Sequence, residues 1–109
     1  MLFDRTKNPH PNDPPPDWEA QVRIHRDRMA GMWAAELLGL IGHAAHDYAR
    51  ELAHPHDSTA QELPSHDERV VGKLTRDLHG KVGAHEIREK LAHLLHEARR
   101  QLTDRNRAH

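Results

Sequence analysis

The C-terminal part of the chain carries apolar residues at the spacing of an α-helix, and this pattern constrains the fold most strongly. The apolar positions recur every three or four residues, so they share one face of a helix. Polar residues such as Glu89, His93, His96 and Arg100 fall on the opposite face. We therefore predict a last helix over about 84–103, with its inward stripe formed by Ile87, Leu91, Leu94, Leu95, Ala98 and Leu102.

Glycine and proline divide the preceding residues into two predicted helices. The first should run from about 18 to 40, because Asp17 is a good N-cap type and Gly39 is a typical helix stop. The second should span about 43–53 and end at His54, because the residue before proline disfavours the helical region. The inward residues of this second helix are predicted to be Ala45, Tyr48, Ala49 and Leu52.

A third helix is predicted over about 66–79. Ser65 and Glu68 form the pattern of a capping box, with Ser65 at the N-cap and Glu68 at the third helical position. Val71, Leu74 and Leu78 should point inward. Four helices joined by short links predict an all-α fold, a compact four-helix bundle over residues 18–109.

The first predicted helix is apolar nearly all round from Met32 to Leu40, which favours burial among several neighbours. Glu36 lies inside this apolar stretch, where we expect a salt bridge or hydrogen bond to a neighbouring helix rather than a ligand-binding role. At 100° per residue one face should carry Trp18, Val22, Met29, Met32, Trp33, Leu37 and Leu40.

Residues 1–17 form a tail of different composition. Five prolines lie between Pro9 and Pro16, and proline lacks the backbone donor that a helix needs. We expect this proline-rich N-terminal tail to be disordered in isolation.

The composition of the chain excludes or disfavours several classes of function. Sixteen Lys and Arg against seventeen Asp and Glu give a net charge of −1, which disfavours nucleic acid as a partner of the whole chain. The chain has no cysteine, so disulfides and thiolate zinc sites are excluded. No apolar run approaches the roughly 20 residues of a membrane span, and no catalytic signature is present. We expect a non-enzymatic protein without a cofactor or direct membrane insertion.

Two groups of residues are candidate binding sites: paired histidines and a cluster of arginines. The pairs His43 with His46 and His93 with His96 are each three residues apart on a helix, but a metal site wants about four ligands, and we favour exposed histidines. The segment from 23 to 28 carries three arginines that could meet carboxylates or a phosphate. A solvated helix face is the interpretation we favour there.

Several motifs together resemble a known family. The run from Trp33 to Leu40 resembles the central motif of the zeta subunit of alphaproteobacterial ATP synthases. The resemblance extends over about residues 28–102. It includes Tyr48-Ala49, Leu74 with Asp77-Leu78, Glu86-Ile87-Arg88-Glu89-Lys90-Leu91 and Glu97-Ala98-Arg99, and Phe3-Asp4-Arg5 resembles the family's opening motif.

The resemblance implies a four-helix fold and inhibition of ATP hydrolysis by the catalytic head of ATP synthase. It also implies a cytoplasmic location, peripheral to the membrane-bound enzyme, with the head subunits as partners and adenine nucleotide as a weak ligand. The N-terminal region would insert into the head while the bundle anchors it. The residues expected to contact the partner are Phe3, Asp4, Arg5, Trp18, Arg23, Arg26 and Arg28.

The N-terminal tail departs from the family's charged, helix-compatible segment. Its prolines prevent one continuous inhibitory helix, so residues 18–28 would have to serve as the inserting element. We expect binding to the head with weak inhibition. The alternatives are a homologue that has lost inhibition, or a free-standing helical module for adenine nucleotide or metal.

Overall fold

The computed structural model describes residues 17–54 and 63–107, and for residues 63–65 it describes only the backbone. Four helices account for nearly all of these residues: α1 (Trp18–Leu38), α2 (Gly42–Ala53), α3 (Leu63–Asp77) and α4 (Ala84–Arg107). No strand occurs in this part of the chain. The prediction of an all-α four-helix fold is confirmed, whereas the prediction of a disordered tail falls on residues outside the described range.

The ends of α1 and α4 differ in how sharply they are defined. Gly39 adopts the left-handed conformation (φ 78°), and the Leu40 N–H donates to the Ala35 carbonyl at 2.8 Å. This is the helix stop that glycine supplies best, and it ends α1 at Leu38. The polar residues after Leu102 include no glycine or proline, so α4 continues to Arg107, beyond the predicted end.

The predicted N-cap at Ser65 is wrong, because α3 already begins at Leu63. Pro64 is therefore the second residue of the helix. A proline costs little there, since the first amide groups of a helix have no intrahelical acceptor. At the start of α4 a related cap is present, because the Gly83 N–H donates to Glu86 Oε1 at 3.0 Å.

The core is built mainly from α3 and α4, packed against small residues of α1. The inward stripes predicted for α2, α3 and α4 are largely confirmed, with Leu74, Leu78 and Ile87 fully buried. Tyr48, Leu95 and Leu102 are the half-buried exceptions. The core cluster comprises Ala30, Ala34, Leu52, Val70, Val71, Leu74, Leu78, Ile87, Leu91 and Leu94.

The buried face of α1 agrees only in part with the predicted one. Of the residues predicted to point inward, Val22 is buried, Met32 is exposed, and the half-buried Met29, Trp33 and Leu37 pack against the core. Glu36 is also exposed and makes no ion pair with any described side chain, which corrects the expectation of a bonded, buried carboxylate. The residues that α1 does bury are small or charged: Val22, Arg26, Asp27, Ala30, Gly31, Ala34 and Ala35.

Small residues let α1 and α2 approach closely. A methyl group added at Gly31 would lie 2.5 Å from the Ala49 Cα atom, which is closer than such atoms can come. On the other side of α1, Trp33 is half-buried, and the Lys90 ammonium of α4 lies 5.6 Å from the centre of its ring. Shape on one side and an aromatic contact on the other fix the rotation of α1 about its axis.

Candidate functional site

A buried ionic cluster joins α1 to α3. Arg26 is 3% exposed and Asp27 is 0% exposed. The Arg26 guanidinium donates to Asp27 Oδ1 and to Asp67 Oδ1, both at 2.8 Å. Each of these two carboxylates has a further partner. Arg23 Nη1 lies 3.0 Å from Asp67 Oδ2, and His66 Nε2 lies 2.8 Å from Asp27 Oδ2. We call these five residues the α1–α3 ionic cluster.

The cluster favours the charged forms of Arg26 and Asp67. Burial on its own would lower the pKa of Arg26, but the hydrogen bonds and charges of Asp67 and Asp27 outweigh it and raise that pKa. Burial would likewise raise the pKa of Asp67, yet the hydrogen bond and charge of Arg26, with the charge of Arg23, hold it below its ordinary value. Each buried charge is therefore compensated inside the protein.

The cluster changes the interpretation of the arginines in α1. The preferred prediction of a solvated face is wrong for Arg26, which is buried with both of its carboxylate partners in place. Arg23 is half-buried and also faces Asp67. Arg28 alone of the three is exposed, and it pairs with no carboxylate in the described part of the chain.

The first turns of α1 lie against the end of α4. Arg99 Nη2 is 2.8 Å from Glu19 Oε1, and His25 Nε2 is 2.8 Å from Gln101 Oε1. Trp18 is half-buried, whereas Val22 has no exposed surface. Because full burial begins at Val22, residues before it can leave the bundle at low cost, whereas residues from Val22 onward cannot.

A second polar contact joins α2 to α3. The Tyr48 hydroxyl donates to Asp77 Oδ2 at 2.7 Å, and the Lys73 ammonium lies 3.1 Å from the same oxygen and 5.1 Å from the Tyr48 ring centre. Burial and the neighbouring carboxylate raise the pKa of Tyr48. Burial alone would raise the pKa of Asp77, but its hydrogen bonds with Tyr48 and Lys73 outweigh burial and lower that pKa. This group therefore links α2 to α3.

An open groove on the other side of α1 is lined by basic residues from three helices. Its volume is about 640 Å³, and Met29 and Met32 line it together with Ala49. Among the described residues no carboxylate belongs to the lining, although the chain as a whole carries a small net negative charge. We call this surface the basic groove; its charged or titratable residues are His25, Arg28, His46, Arg50 and Arg105.

The basic groove continues into an apolar surface at the α1–α2 corner. Met32 lines both surfaces and is 39% exposed, and Ile41 beyond it is 83% exposed. Trp33, Leu40 and the exposed Glu36 border this second area. Exposed methionine and isoleucine next to unpaired arginines are more typical of a contact surface than of a solvated one.

Only part of the basic groove was predicted from the sequence. Arg28 was among the predicted contact residues, but Arg50 and Arg105 were not, because they lie on different helices and share no local motif. The remaining predicted contact residues Phe3, Asp4 and Arg5 fall outside the described range.

The described histidines do not gather into a metal site. His43, His46, His93 and His96 are all exposed. Within residues 17–54 and 63–107, no group of three or more histidine and carboxylate side chains is arranged to hold a metal ion. No helix in the same ranges is long and apolar enough to cross a bilayer.

Comparison with known proteins agrees with this fold and with the motifs in α1 and α4. The family described as ATPase inhibitor subunit zeta matches residues 16–101, which is most of the chain. The chain belongs to this family. Neither the curated proteins nor the solved structures gave a match.

Proposed function

We propose that this chain is a non-catalytic regulatory subunit that inhibits ATP hydrolysis by the catalytic head of ATP synthase. The observation that carries the proposal is the match of residues 16–101 to the ATPase inhibitor subunit zeta family. The fold is consistent with a regulatory role, since the buried charges of Arg26 and Asp27 are compensated within the chain. The bundle acts as the anchor on the head, at the surface of the membrane that carries the enzyme.

The N-terminal region is the inhibitory element in this proposal. It comprises Phe3, Asp4, Arg5 and the first turn of α1 with Trp18. Residues from Val22 onward stay in the bundle, because releasing them would expose Asp27 and break the pairs of Arg23 and Arg26 with Asp67. Breaking a buried ion pair costs about 3–5 kcal/mol. We therefore do not carry Arg23 and Arg26 into the contact with the head.

The test is ATP hydrolysis by the catalytic head prepared from the same cells. The full-length chain and a variant lacking residues 1–16 are titrated into it. The deletion keeps Asp17, whose Oδ1 accepts a hydrogen bond from the Gln21 side chain at 2.8 Å at the start of α1. Circular dichroism confirms that the shortened chain folds.

We expect inhibition by the full-length chain and binding without inhibition by the shortened one. Equal inhibition by both would show that the proline-rich tail is dispensable and that the bundle itself inhibits. No inhibition by either would identify a homologue that has lost this activity.

A further inference from the structure

We propose that the basic groove is the docking surface for an acidic, amphipathic segment of a partner protein. The inference rests on the function proposed above, since the partner is taken to be a subunit of the catalytic head. It adds the surface by which the bundle anchors and the chemistry of the segment that it receives.

The first argument for an acidic partner is the charge of the groove. Arg28 and Arg105 have no carboxylate partner in the described part of the chain, and Arg50 pairs only with the exposed Asp47 on its own helix. Unpaired arginines of this kind favour carboxylates, because the guanidinium offers a planar, two-pronged set of donors. His25 and His46 also line the groove.

The second argument is the apolar part of the groove. Met29 and Met32 line it together with the basic residues, and the exposed Met32 also lines the apolar corner with Trp33 and Ile41. Methionine adapts its flexible side chain to an incoming apolar surface. A helix with carboxylates near one end and apolar residues along one side matches both parts of this surface.

Other occupants fit less well. The groove is open rather than enclosed, which disfavours a buried small molecule. A nucleic acid would need a longer track of positive charge than these residues supply, and the net charge of the chain is −1.

The central experiment measures affinity of the full-length chain for the catalytic head by biolayer interferometry. The test variant carries Arg28→Glu and Arg105→Glu, and a second variant carries Arg28→Gln and Arg105→Gln. The matched control is Arg69→Glu, because Arg69 is an exposed arginine on α3 outside the groove. Thermal melts should place all variants within about 2 °C of the wild type, since the altered residues are exposed.

We expect the glutamate variant to bind at least about tenfold more weakly, the glutamine variant to lose less, and the control to match the wild type. Wild-type binding that the glutamate variant retains would overturn the groove as the docking surface and leave the proposed function intact. An equal loss in Arg69→Glu would also overturn it, because the effect would then be general. If the wild type does not bind the head, the proposed function and this inference both fail.

A cross-link identifies the occupant directly. The chain has no native cysteine, so Met32→Cys can carry a single photoreactive group, with Lys81→Cys on the exposed α3–α4 turn as the control. After irradiation with the head, mass spectrometry should map the Met32→Cys product to a segment rich in Asp and Glu. A product in a segment without carboxylates, or the same product from both positions, would contradict the assignment.

Discussion

Arg26 and Arg28 are two residues apart on α1, yet the helix places them in opposite situations. Arg26 faces α3, where it is buried with Asp27 and Asp67. Arg28 faces the basic groove, where no described carboxylate meets it. Two residues along a helix turn the side chain by about 200°. The direction of the side chain, and not its chemical type, separates a residue that holds the fold from one that is available to a partner.

The two sides of α1 also hold the helix by different means. The side toward α3 depends on charge compensation, which is strong only while every partner is present. The side toward α2 depends on small residues that permit close approach at Gly31 and Ala49. Substitutions on the first side should therefore act by leaving a charge unpaired, and those on the second by steric overlap.

The largest expected effect comes from Arg26→Ala, compared with Arg28→Ala. Removing Arg26 leaves Asp27 buried with one cationic partner fewer, and should lower the free energy of unfolding by about 3–5 kcal/mol. Arg28→Ala should change it by less than about 0.5 kcal/mol. Urea unfolding of the two variants measures the difference. Equal stabilities would abolish the distinction between the two arginines.

A smaller effect is expected from Gly31→Ala. The new methyl group would overlap Ala49, and overpacking of this kind costs about 1–3 kcal/mol, partly offset by the helix propensity of alanine. Gly72→Ala in α3 is the control, because the nearest atom to its added methyl group lies 3.8 Å away. That control should be neutral or stabilising by up to about 1 kcal/mol. Destabilisation of both variants to the same extent would show that close approach is not what matters at Gly31.

A smaller effect on the α1–α3 ionic cluster is expected in the pH dependence of stability. The folded pKa of Asp67 is lowered, so its contribution is present above the unfolded value of about 3.9 and is lost as the pH falls through the folded pKa. Asp67→Asn should therefore be less stable at pH 7 and should show a shallower loss of stability below about pH 4. Unfolding midpoints measured across this range supply the test. Asp104→Asn, at an exposed position near the end of α4, should retain the wild-type slope.

The smallest effect is expected from Glu19→Ala. The pair of Glu19 with Arg99 is exposed on both sides, and such pairs contribute about 0–1 kcal/mol. Hydrogen exchange should show faster exchange at the first turn of α1 with little change from Val22 onward. Loss of protection throughout the helix would contradict the placement of the boundary at Val22.

How much the sequence could predict depends on the helix. Residues such as Leu74, Ile87 and Leu91 are large and apolar, so their spacing identified the buried faces of α3 and α4. Apart from Val22, the buried face of α1 consists of alanine, glycine and a compensated ion pair, which leave almost no periodic signal. The large apolar residues Met29, Trp33 and Leu37 lie at the edge of the buried face and are half-buried against the core, so the pattern predicted a face rotated from the most buried one.

The residues of the basic groove could also be predicted only in part from the sequence. Arg28 lies in a local cluster of arginines and was found from the sequence. Arg50 and Arg105 reach the same groove from α2 and α4, and only the packing of three helices brings them together. The partners of Arg26 are similarly distant, since Asp67 lies forty-one positions further along the chain.

The central claim is that the bundle anchors this chain on the catalytic head while the N-terminal region inhibits it. The most direct measurement is competition in the hydrolysis assay. The head is first inhibited by the full-length chain, and the variant lacking residues 1–16 is then added in increasing excess. The account predicts that ATP hydrolysis recovers as the shortened chain displaces the inhibitor. Inhibition that persists or deepens in the presence of a large excess of the folded shortened chain would contradict it.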